Sequence, residues 1–504
     1  MTHTVTSTMR LLECLELLRG DPRIEFFFTR AAGTRFPEGV AQLLDRFGGH
    51  VMDWESAISP GFHLAVTAGS SGRLHQINAP LVSIPHGLAY NKVLNADEER
   101  SEGYGLASEQ LMHEGAVVPS LLAISHSEQL ARLKEGCPEA ASRAAIVGDL
   151  SYDLMTASLL WRDVYRSALG IEAGRRLVVV NTTWGRYSLL DQHPELPLDL
   201  LRQLPADEYA VALTVHPNVS AHHGDWNLRS WLADALRAGL LLIPRDEGWH
   251  ATLVASDLVV GDHGSVTLYG ACLGRPVLLA GFHADSIVPG TAMARLGRCA
   301  PHLDPRLPLR PQIEAAQPPP ALRDDVVENP GRAAALLRSA MYALMDLPEP
   351  RAPAPTRRVP PPKPERSAVT ARLVTAWIAD GAVVVERYPV SADGLTDPLL
   401  VVEDADPHPG LLELADALIR RDGGPLSGLS PADVFAAYPG CRHLLDLDGP
   451  VPVLRTRRAG MTVRGDADPT LAVAVAALLP DPPPSVVVVT GSRRSVLQLT
   501  PILR

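Results

Sequence analysis

A proline-rich segment most strongly constrains how this chain can fold. Residues 348–365 contain eight prolines in eighteen positions. Proline has no backbone N–H and a fixed φ, so such a run cannot continue a helix or a central strand and is typical of an extended, semi-rigid spacer. We therefore predict a linker over residues 348–368, with a separate domain over residues 369–504.

Short apolar runs alternate with helical patterns on the N-terminal side of the linker. Near-continuous apolar strands between helices are typical of parallel sheets that helices cover on both faces. The pattern occurs twice and predicts two Rossmann-like α/β domains, over residues 1–169 and 170–347. The predicted strands are residues 24–28, 64–67, 81–84, 121–124, 144–147, 177–181, 210–215, 240–243, 257–260 and 277–280, and the predicted helices are residues 37–47, 156–169, 226–238, 265–273 and 330–345.

The region after the linker is predicted to be a small accessory α/β domain. It has no motif that we can assign, which leaves it as a candidate surface for a protein partner. Its predicted strands are residues 382–386, 399–402 and 486–489, and its predicted helices are residues 411–420 and 431–438.

Composition and charge exclude several classes of function. The net charge is −11 with no long basic stretch, which argues against a nucleic-acid partner. The five cysteines form no CxxC pair, which argues against a disulfide framework and a zinc site. Glu13, Glu16 and Arg19 interrupt the apolar stretch near the N-terminus, so no signal peptide is predicted, and membrane association has no support. We expect a cytoplasmic protein.

Polar residues follow two of the predicted strands, where the working residues of parallel sheets lie. His86 comes directly after a buried-strand pattern, and Gly87 permits a tight turn beside it. Such a histidine can take a proton from an acceptor hydroxyl, or it can simply bond to a neighbouring loop. Thr182 and Thr183 follow the first strand of the second domain, where hydroxyls and amides can bind phosphate or form an ordinary turn.

A second histidine follows the next strand of the same predicted sheet. Pro217 stiffens the exit from that strand and holds His216 at its tip. This imidazole can support a departing diphosphate, or it can cap a loop. His222 and His223 follow closely, but their spacing matches no recognised ligand pattern, so we expect no metal.

The most specific motif is a strand, a glycine-containing turn and a helix. The amides of Gly264 and Ser265 should lie unpaired at the start of this helix, and such a helix end attracts phosphate. Asp262 could cap the helix or contact a ribose. The alternative is a capped helix of the kind present in any Rossmann unit.

In this order the motifs resemble the bacterial teichoic-acid glycerophosphotransferases, which have the GT-B fold and use CDP-glycerol. The resemblance covers roughly residues 60–285 and implies two facing domains with a nucleotide-activated donor bound between them. It implies His86 and His216 as catalytic residues, and it implies donor contacts at Gly87, Thr182, Thr183, Asp262, Gly264 and Ser265. The matching segments are His86-Gly87 with Lys92, Thr182-Thr183-Trp184, His216-Pro217, Asp262-His263-Gly264-Ser265 and Gly274-Arg275-Pro276.

The chain departs from the family pattern at three positions. Ser151 stands where the family has an arginine that helps to hold the donor diphosphate, and Tyr269 stands where it has an acidic residue that binds the donor. Gly264 replaces the first serine of the family's turn. The pattern from Asp262 to Val277 is also similar to the nucleotide-sugar 2-epimerases, which share the GT-B fold.

These observations predict a metal-independent transferase that moves a glycosyl or polyol-phosphate group from a nucleotide-activated donor to a hydroxyl acceptor. The nucleotide is a substrate, and no other cofactor is expected. Two alternatives remain at this stage: a catalytically inactive GT-B-shaped protein that binds a nucleotide for regulation, and a nucleotide-sugar 2-epimerase. The base, the transferred group and the acceptor stay open.

Overall fold

The computed structural model describes residues 1–31, 39–69, 71–93, 105–320 and 322–502. Two parallel sheets and one closed mixed sheet follow one another along the chain. We call these sheets, with the elements that pack on them, the first, second and C-terminal units. The domain boundaries given above stay a prediction.

The first unit is built on a four-stranded parallel sheet in the order β1-β2-β5-β6. Four of the five predicted strands are present within one residue of their expected ends. Its strands are Ala65–Thr67 (β1), Leu81–Ser83 (β2), Met112–His113 (β3), Ala116–Val117 (β4), Leu121–Ile124 (β5) and Ala144–Ile146 (β6), and its helices are Val5–Leu15 (α1), Val40–Phe47 (α2), Trp54–Ala57 (α3), Ser108–Leu111 (α4), Ser127–Gly136 (α5), Leu150–Ala157 (α6) and Arg162–Ala168 (α7), with 3₁₀ turns at Leu74–Gln76, Pro138–Arg143 and Leu159–Trp161.

The predicted strand over residues 24–28 is wrong. Only Phe28 forms a β-bridge, with Val51. The Phe28 ring packs with Val40 and Leu44, so this aromatic run covers helices and does not extend the sheet. The first two residues of the helix predicted over residues 37–47 lie outside the described residues.

The second unit is a five-stranded parallel sheet in the order β11-β10-β7-β8-β9. All five predicted strands are present. The strands are Arg176–Thr182 (β7), Tyr209–Val215 (β8), Leu241–Ile243 (β9), Leu258–Gly261 (β10) and Val277–Leu279 (β11), and the helices are Leu189–Gln192 (α8), Leu196–Gln203 (α9), Pro217–His223 (α10), Asp225–Trp231 (α11), Ala233–Arg237 (α12), Trp249–Ala255 (α13), Ser265–Cys272 (α14), Ala292–Cys299 (α15), Leu309–Ala315 (α16) and Ala333–Leu344 (α17), with 3₁₀ turns at Ala284–Ser286 and Arg323–Asp325.

The strand order reverses direction between β7 and β10. The chain runs from β7 outward through β8 to β9, and then returns to place β10 on the other side of β7. Adjacent loops therefore leave in opposite directions at this point and open a crevice. In parallel α/β sheets, ligands bind in such a crevice at the carboxyl ends of the strands.

Helix α17, the last of these helices in the chain, packs on the sheet of the first unit and so belongs to that unit. Ala333, Leu337 and Met341 recur every four residues and lie in one apolar cluster with Val66 and Val82 of the first sheet. A helix with this spacing presents one apolar stripe, and the first unit covers it. The chain thus returns from the second unit to the first before the proline segment begins. With 12 residues, α17 is the longest described helix, and no described helix is long and apolar enough to span a membrane.

The proline segment forms no helix or regular strand, and it is fastened to the body. The backbone carbonyl of Val359 accepts a hydrogen bond from the Tyr165 hydroxyl at 2.8 Å, and its amide donates to Ser158 Oγ at 3.0 Å. Glu365 then pairs with Leu242 at the edge strand β9. The segment is therefore docked on elements of both units, at Ser158 and Tyr165 and then at Leu242.

The C-terminal unit differs from the small α/β domain that we predicted. Nine strands close on themselves in the order β12-β13-β19-β20-β18-β17-β16-β15-β14, and both parallel and antiparallel pairs occur. Three of the nine strands were predicted. The strands are Ala371–Ala379 (β12), Ala382–Pro389 (β13), Leu399–Glu403 (β14), Ala417–Arg420 (β15), His443–Asp446 (β16), Val453–Arg455 (β17), Gly460–Gly465 (β18), Ser485–Thr490 (β19) and Arg493–Pro501 (β20), and the helices are Pro409–Leu414 (α18), Pro431–Ala437 (α19) and Leu471–Leu478 (α20).

The helix predicted over residues 411–420 is in fact helix α18 followed by strand β15. Strand β15 is buried on both faces, because Ala417 and Ile419 pack in the core of the closed sheet and Leu418 packs in a second apolar cluster with Val434 and Phe435 of α19. A short apolar run that is buried all round cannot be assigned to helix or strand by its periodicity. Neighbouring strands decide its conformation.

The C-terminal unit has its own core and rests on the second unit. The Arg387 guanidinium pairs with Asp207 of the second unit and with Asp468 of its own unit. Arg310 reaches from α16 to Glu386 on β13 at 2.9 Å. The C-terminal unit therefore has a core of its own, while ion pairs tie its surface to the second unit.

We expect Val473→Asp to destabilise the C-terminal unit. Val473 is fully buried in the apolar helix α20, and an unpaired carboxylate there should lower the free energy of unfolding by at least about 3 kcal/mol. Leu414→Asp is the matched control, because Leu414 is 73% exposed. Urea unfolding followed by circular dichroism measures both; equal midpoints would contradict the placement of α20.

Candidate functional site

A cavity of about 660 Å³ lies between the first and second units, at the carboxyl ends of both parallel sheets. Its walls come from the ends of β1 and β2 in the first unit and from the ends of β7, β8, β9 and β10 in the second. All eight predicted site residues line it: His86, Gly87, Thr182, Thr183, His216, Asp262, Gly264 and Ser265. The structure thus brings together residues that are up to 179 positions apart (265 − 86).

The start of helix α14 opens into this cavity. Gly264 precedes the helix, and among the described residues no side chain caps that end. Two buried polar atoms nearby have no protein partner among the described residues: Asn181 Nδ2 and Thr267 Oγ1. Both residues line the cavity. Unpaired amides at a helix start, with the helix dipole behind them, form an anion site.

Asp262 organises the loops around that helix start. Its Oδ2 accepts the backbone N–H of Thr183 at 2.6 Å and of Leu189 at 3.0 Å, and its Oδ1 accepts the N–H of Gly264 at 2.9 Å. Burial raises the pKa of Asp262 to about 6, against the amide bonds and the Lys92 charge, which lower it. The carboxylate is fully buried, so it holds two loops together; its predicted contact with a donor stays a prediction.

His86 and Gly87 approach helix α14 from the first unit. A Cβ atom on Gly87 would lie 2.5 Å from Ser265 Oγ, so only glycine permits this approach. His86 lines the cavity, where its side chain is accessible to solvent. Desolvation by the surrounding protein, followed by the charges of Lys92 and Arg10, lowers the pKa of His86 below its usual value. His86 is therefore neutral at pH 7 and able to accept a proton.

His216 has a defined tautomer. Its Nδ1 accepts the backbone N–H of Asn218 at 3.1 Å, so the proton of the neutral ring is on Nε2. Burial, followed by the charges of Lys92 and His86, lowers the pKa of His216 to about 3. The ring therefore presents a neutral N–H donor.

Lys92 crosses from the first unit to the second. Its Nζ donates to Thr183 Oγ1 at 3.3 Å. Burial lowers the pKa of Lys92, and the Asp262 charge opposes this effect. The sequence pattern contained Lys92, but only the structure places its ammonium beside the loop that Asp262 holds.

A buried ionic network forms another wall, which the sequence did not predict. The Arg10 guanidinium of α1 pairs with Asp149 and also contacts Ser151. Ser151 Oγ donates to Glu13 Oε2 at 2.6 Å, and the Tyr269 hydroxyl donates to Asp149 at 3.0 Å. Two of the three departures from the family pattern, Ser151 and Tyr269, thus belong to a single network. The sequence signal for this network was the pair Arg10 and Glu13, two opposite charges three residues apart in an otherwise uncharged helix.

A hydroxyl cluster lies where α1 begins. His3 Nε2 is 2.7 Å from Thr67 Oγ1, and His3 Nδ1 is 3.3 Å from Ser71 Oγ. Burial, followed by the positive charges of the N-terminus and His86, lowers the pKa of His3 to about 3. This wall therefore offers neutral hydroxyl and imidazole groups.

The histidines considered for metal binding lie elsewhere. His222 and His223 end helix α10, and the described lining of the cavity does not include them. The described residues contain no group of three or more His, Cys, Asp or Glu side chains that could hold a metal ion.

Comparisons with known proteins match solved structures only. No protein-family model and no curated protein matches the chain. The wall teichoic acid polymerase TagF is 13% identical, over 66% of this chain and 84% of that chain, with a TM-score of 0.43. A 2-epimerase structure from Listeria monocytogenes, described as a UDP-N-acetylglucosamine 2-epimerase, is 15% identical over 69% and 97%, with a TM-score of 0.41.

HepE from Anabaena, solved in complex with UDP and glucose, is 12% identical over 66% of this chain and 90% of that chain, with a TM-score of 0.34. The order of motifs resembles the teichoic-acid enzymes, and the pattern from Asp262 to Val277 is similar to the 2-epimerases. TM-scores below 0.5 do not decide what the cavity binds, which depends on the contacts within it.

Stability should depend on two buried neutral histidines. Burial lowers the pKa of both His3 and His263 to about 3, whereas histidine in the unfolded chain titrates near about 6.5. Between these values the unfolded chain binds more protons, so the free energy of unfolding should fall with falling pH, by up to about 1.4 kcal/mol per pH unit for each histidine. Urea unfolding at several pH values measures the slope.

The variants His3→Gln and His263→Gln should each make that slope shallower. Each substitution removes one group that gains a proton on unfolding. An unchanged slope in both variants would show that these side chains are protonated in the folded protein.

Gly87→Ala should separate the two units at the site. The added methyl group would overlap Ser265 Oγ, so amides near residues 87–93 and 264–266 should exchange hydrogen faster, as measured by mass spectrometry. Gly410→Ala is the control, because a Cβ there meets no atom within 4 Å. A second change, Ser265→Gly, should restore protection; faster exchange in the control as well would point to a general loss of stability.

Proposed function

We propose that this protein transfers a glycosyl or polyol-phosphate group from a nucleotide-activated donor to a hydroxyl acceptor. One observation carries the proposal: the chain segment that bears His86 lies against the open N-terminus of α14 in the other unit. Gly87, the residue after His86, is so close to this helix start that a Cβ atom on it would lie 2.5 Å from Ser265 Oγ. A neutral imidazole thus adjoins an anion site across a cleft.

The second unit supplies the donor site in this proposal. The amide of Ser265 and the hydroxyl of Thr183 contact the diphosphate of the donor beside the turn at Gly264, whose own N–H is held by Asp262. The helix dipole favours the negative charge without a metal ion. Thr182 does not take part in the same way, because its hydroxyl donates to the Thr183 carbonyl at 3.1 Å and accepts the Leu190 N–H.

The first unit supplies the base. His86 accepts the proton of the acceptor hydroxyl while that oxygen forms its bond to the transferred group. The bond between this group and the nucleotide phosphate breaks, and the leaving phosphate keeps the electron pair. The Nε2–H of His216 donates a hydrogen bond to the developing charge, which is electrostatic stabilisation by a fixed donor.

Charge explains why a donor would activate His86. Without an anion in the cavity, the Lys92 charge contributes to the low pKa of His86. A bound diphosphate compensates this charge and raises the pKa of His86 toward neutrality, where a general base is most effective. The base is thus weak in the empty site and becomes stronger when the donor binds.

A regulatory protein that binds a nucleotide without turning it over is the second candidate. Ser151 and Tyr269 are engaged with Arg10, Asp149 and Glu13, and these bonds occupy side chains that line the cavity. A 2-epimerase has less support, because Asp262 and Glu13, the carboxylates in the described lining, are both occupied by bonds inside the protein.

We further propose a cytoplasmic location and a partner surface on the C-terminal unit.

The decisive experiment is a panel of CDP-, UDP-, GDP- and dTDP-activated compounds, with released nucleotide as the readout. Binding and release of nucleotide support the transferase. Binding without release favours the regulatory protein, and an interconverted donor with no acceptor product favours the epimerase. A chain that binds none of these compounds contradicts the proposal.

His86→Ala should lower turnover by about 10²–10⁴-fold, the usual contribution of a positioned general base. The affinity for the donor should change little, because the His86 side chain is not one of the proposed donor contacts. Steady-state kinetics and calorimetric titration separate these two effects. His222→Ala is the control, and full turnover in His86→Ala would show that His86 is structural.

A further inference from the structure

We propose that Lys92 is the cation that neutralises the donor's diphosphate, and that a clasp formed by residues 86–93 carries it from the first unit to the second. The inference rests on the proposed function for the identity of the anion. The placement of the ammonium group rests on contacts within the protein. It adds a binding residue that acts only when the two units are closed.

The clasp is fastened to the second unit at several points. Asn91 accepts the backbone N–H of Val288 at 2.8 Å, and the N–H of Val93 donates to the Ser286 carbonyl at 3.1 Å. Lys92 lies between them, in an antiparallel bridge with Ile287. Two strand-like bonds between units fix where the lysine stem begins.

The beginning of the clasp is also buried against the second unit. Leu88 is fully buried in the same apolar cluster as Ile287 and Met293. Gly87 meets Ser265 at the start of α14. The two ends of the clasp therefore hold His86 and Lys92 at fixed positions relative to the helix start.

The Lys92 ammonium lies beside another positive group. It donates to Thr183 Oγ1, and a Cβ on Gly264, at the start of α14, would lie 3.5 Å from Thr183 Cβ. An ammonium group and a helix N-terminus repel each other, and Asp262 below them is occupied by three backbone amides. An anion with two negative centres, such as a diphosphate, would satisfy both groups.

The other cations of the cavity already have partners. Arg10 pairs with Asp149 and Glu13, and Arg245 lies 3.5 Å from Asp225. Within the described parts of the chain, no carboxylate forms an ion pair with Lys92. Among the lysine and arginine side chains of the described lining, Lys92 is therefore the one whose charge is available to a ligand.

The experiment uses the small number of lysines. Lys92, Lys134 and Lys363 are the three lysines of the chain, and the last two are exposed outside the cavity. An amine-selective reagent followed by peptide mass spectrometry reports each lysine separately. Inorganic pyrophosphate should protect Lys92 from the reagent by about tenfold or more and leave the other two unchanged.

A binding measurement tests the same point without modification. In metal-free buffer with a chelator, the wild type should bind pyrophosphate more tightly than Lys92→Met by about tenfold or more. Lys92→Arg, which keeps the charge, should retain part of that affinity, and Lys134→Met should bind as the wild type does. Hydrogen exchange of the free variants shows whether the clasp remains closed.

The outcomes separate this inference from the proposed function. Protection of Lys92 and loss of binding in Lys92→Met support the inference, even if no activated nucleotide is turned over. Equal labelling with and without pyrophosphate, or unchanged affinity in Lys92→Met, overturns it, even if a donor is transferred. Protection of all three lysines alike would indicate nonspecific binding and would also overturn it.

Discussion

Three backbone amides from two loops meet the oxygens of Asp262 at the point where the second sheet reverses its strand order. A buried carboxylate is costly unless hydrogen bonds compensate it. Here they also fix the loops after β7 and β10 relative to each other. These bonds fix the positions of Thr183 and Gly264, and the start of α14 stays open toward the cavity.

The opposite wall depends on a close approach that only glycine allows. Gly87 brings the chain of the first unit against Ser265, and the residues that follow pair with Ser286 and Val288 of the second unit. The base and the ammonium group are therefore placed by contacts between units. These contacts bring both groups to the cavity beside the second unit.

Strand prediction succeeded in both parallel sheets because buried parallel strands are continuous apolar runs, which the sequence displays directly. The prediction failed where neighbours decide the conformation. The pattern of residues 417–420 predicts the end of a helix, but these residues form strand β15 between strands β14 and β16. Residues 24–28 read as a strand and instead cover helices. Strand β20 carried a signal that was missed, since Ser495, Leu497 and Leu499 alternate as buried positions.

The sequence by itself determined which residues end the strands, because apolar runs followed by His86, Thr183, His216 and Asp262 are local patterns. Parallel strands then place these ends on one edge of each sheet. Only the tertiary structure decided what lies across the cleft. The partners of Arg10, the burial of His3 and His263, and the reach of Lys92 to Thr183 all join segments far apart in the chain, and no local pattern encodes such distances.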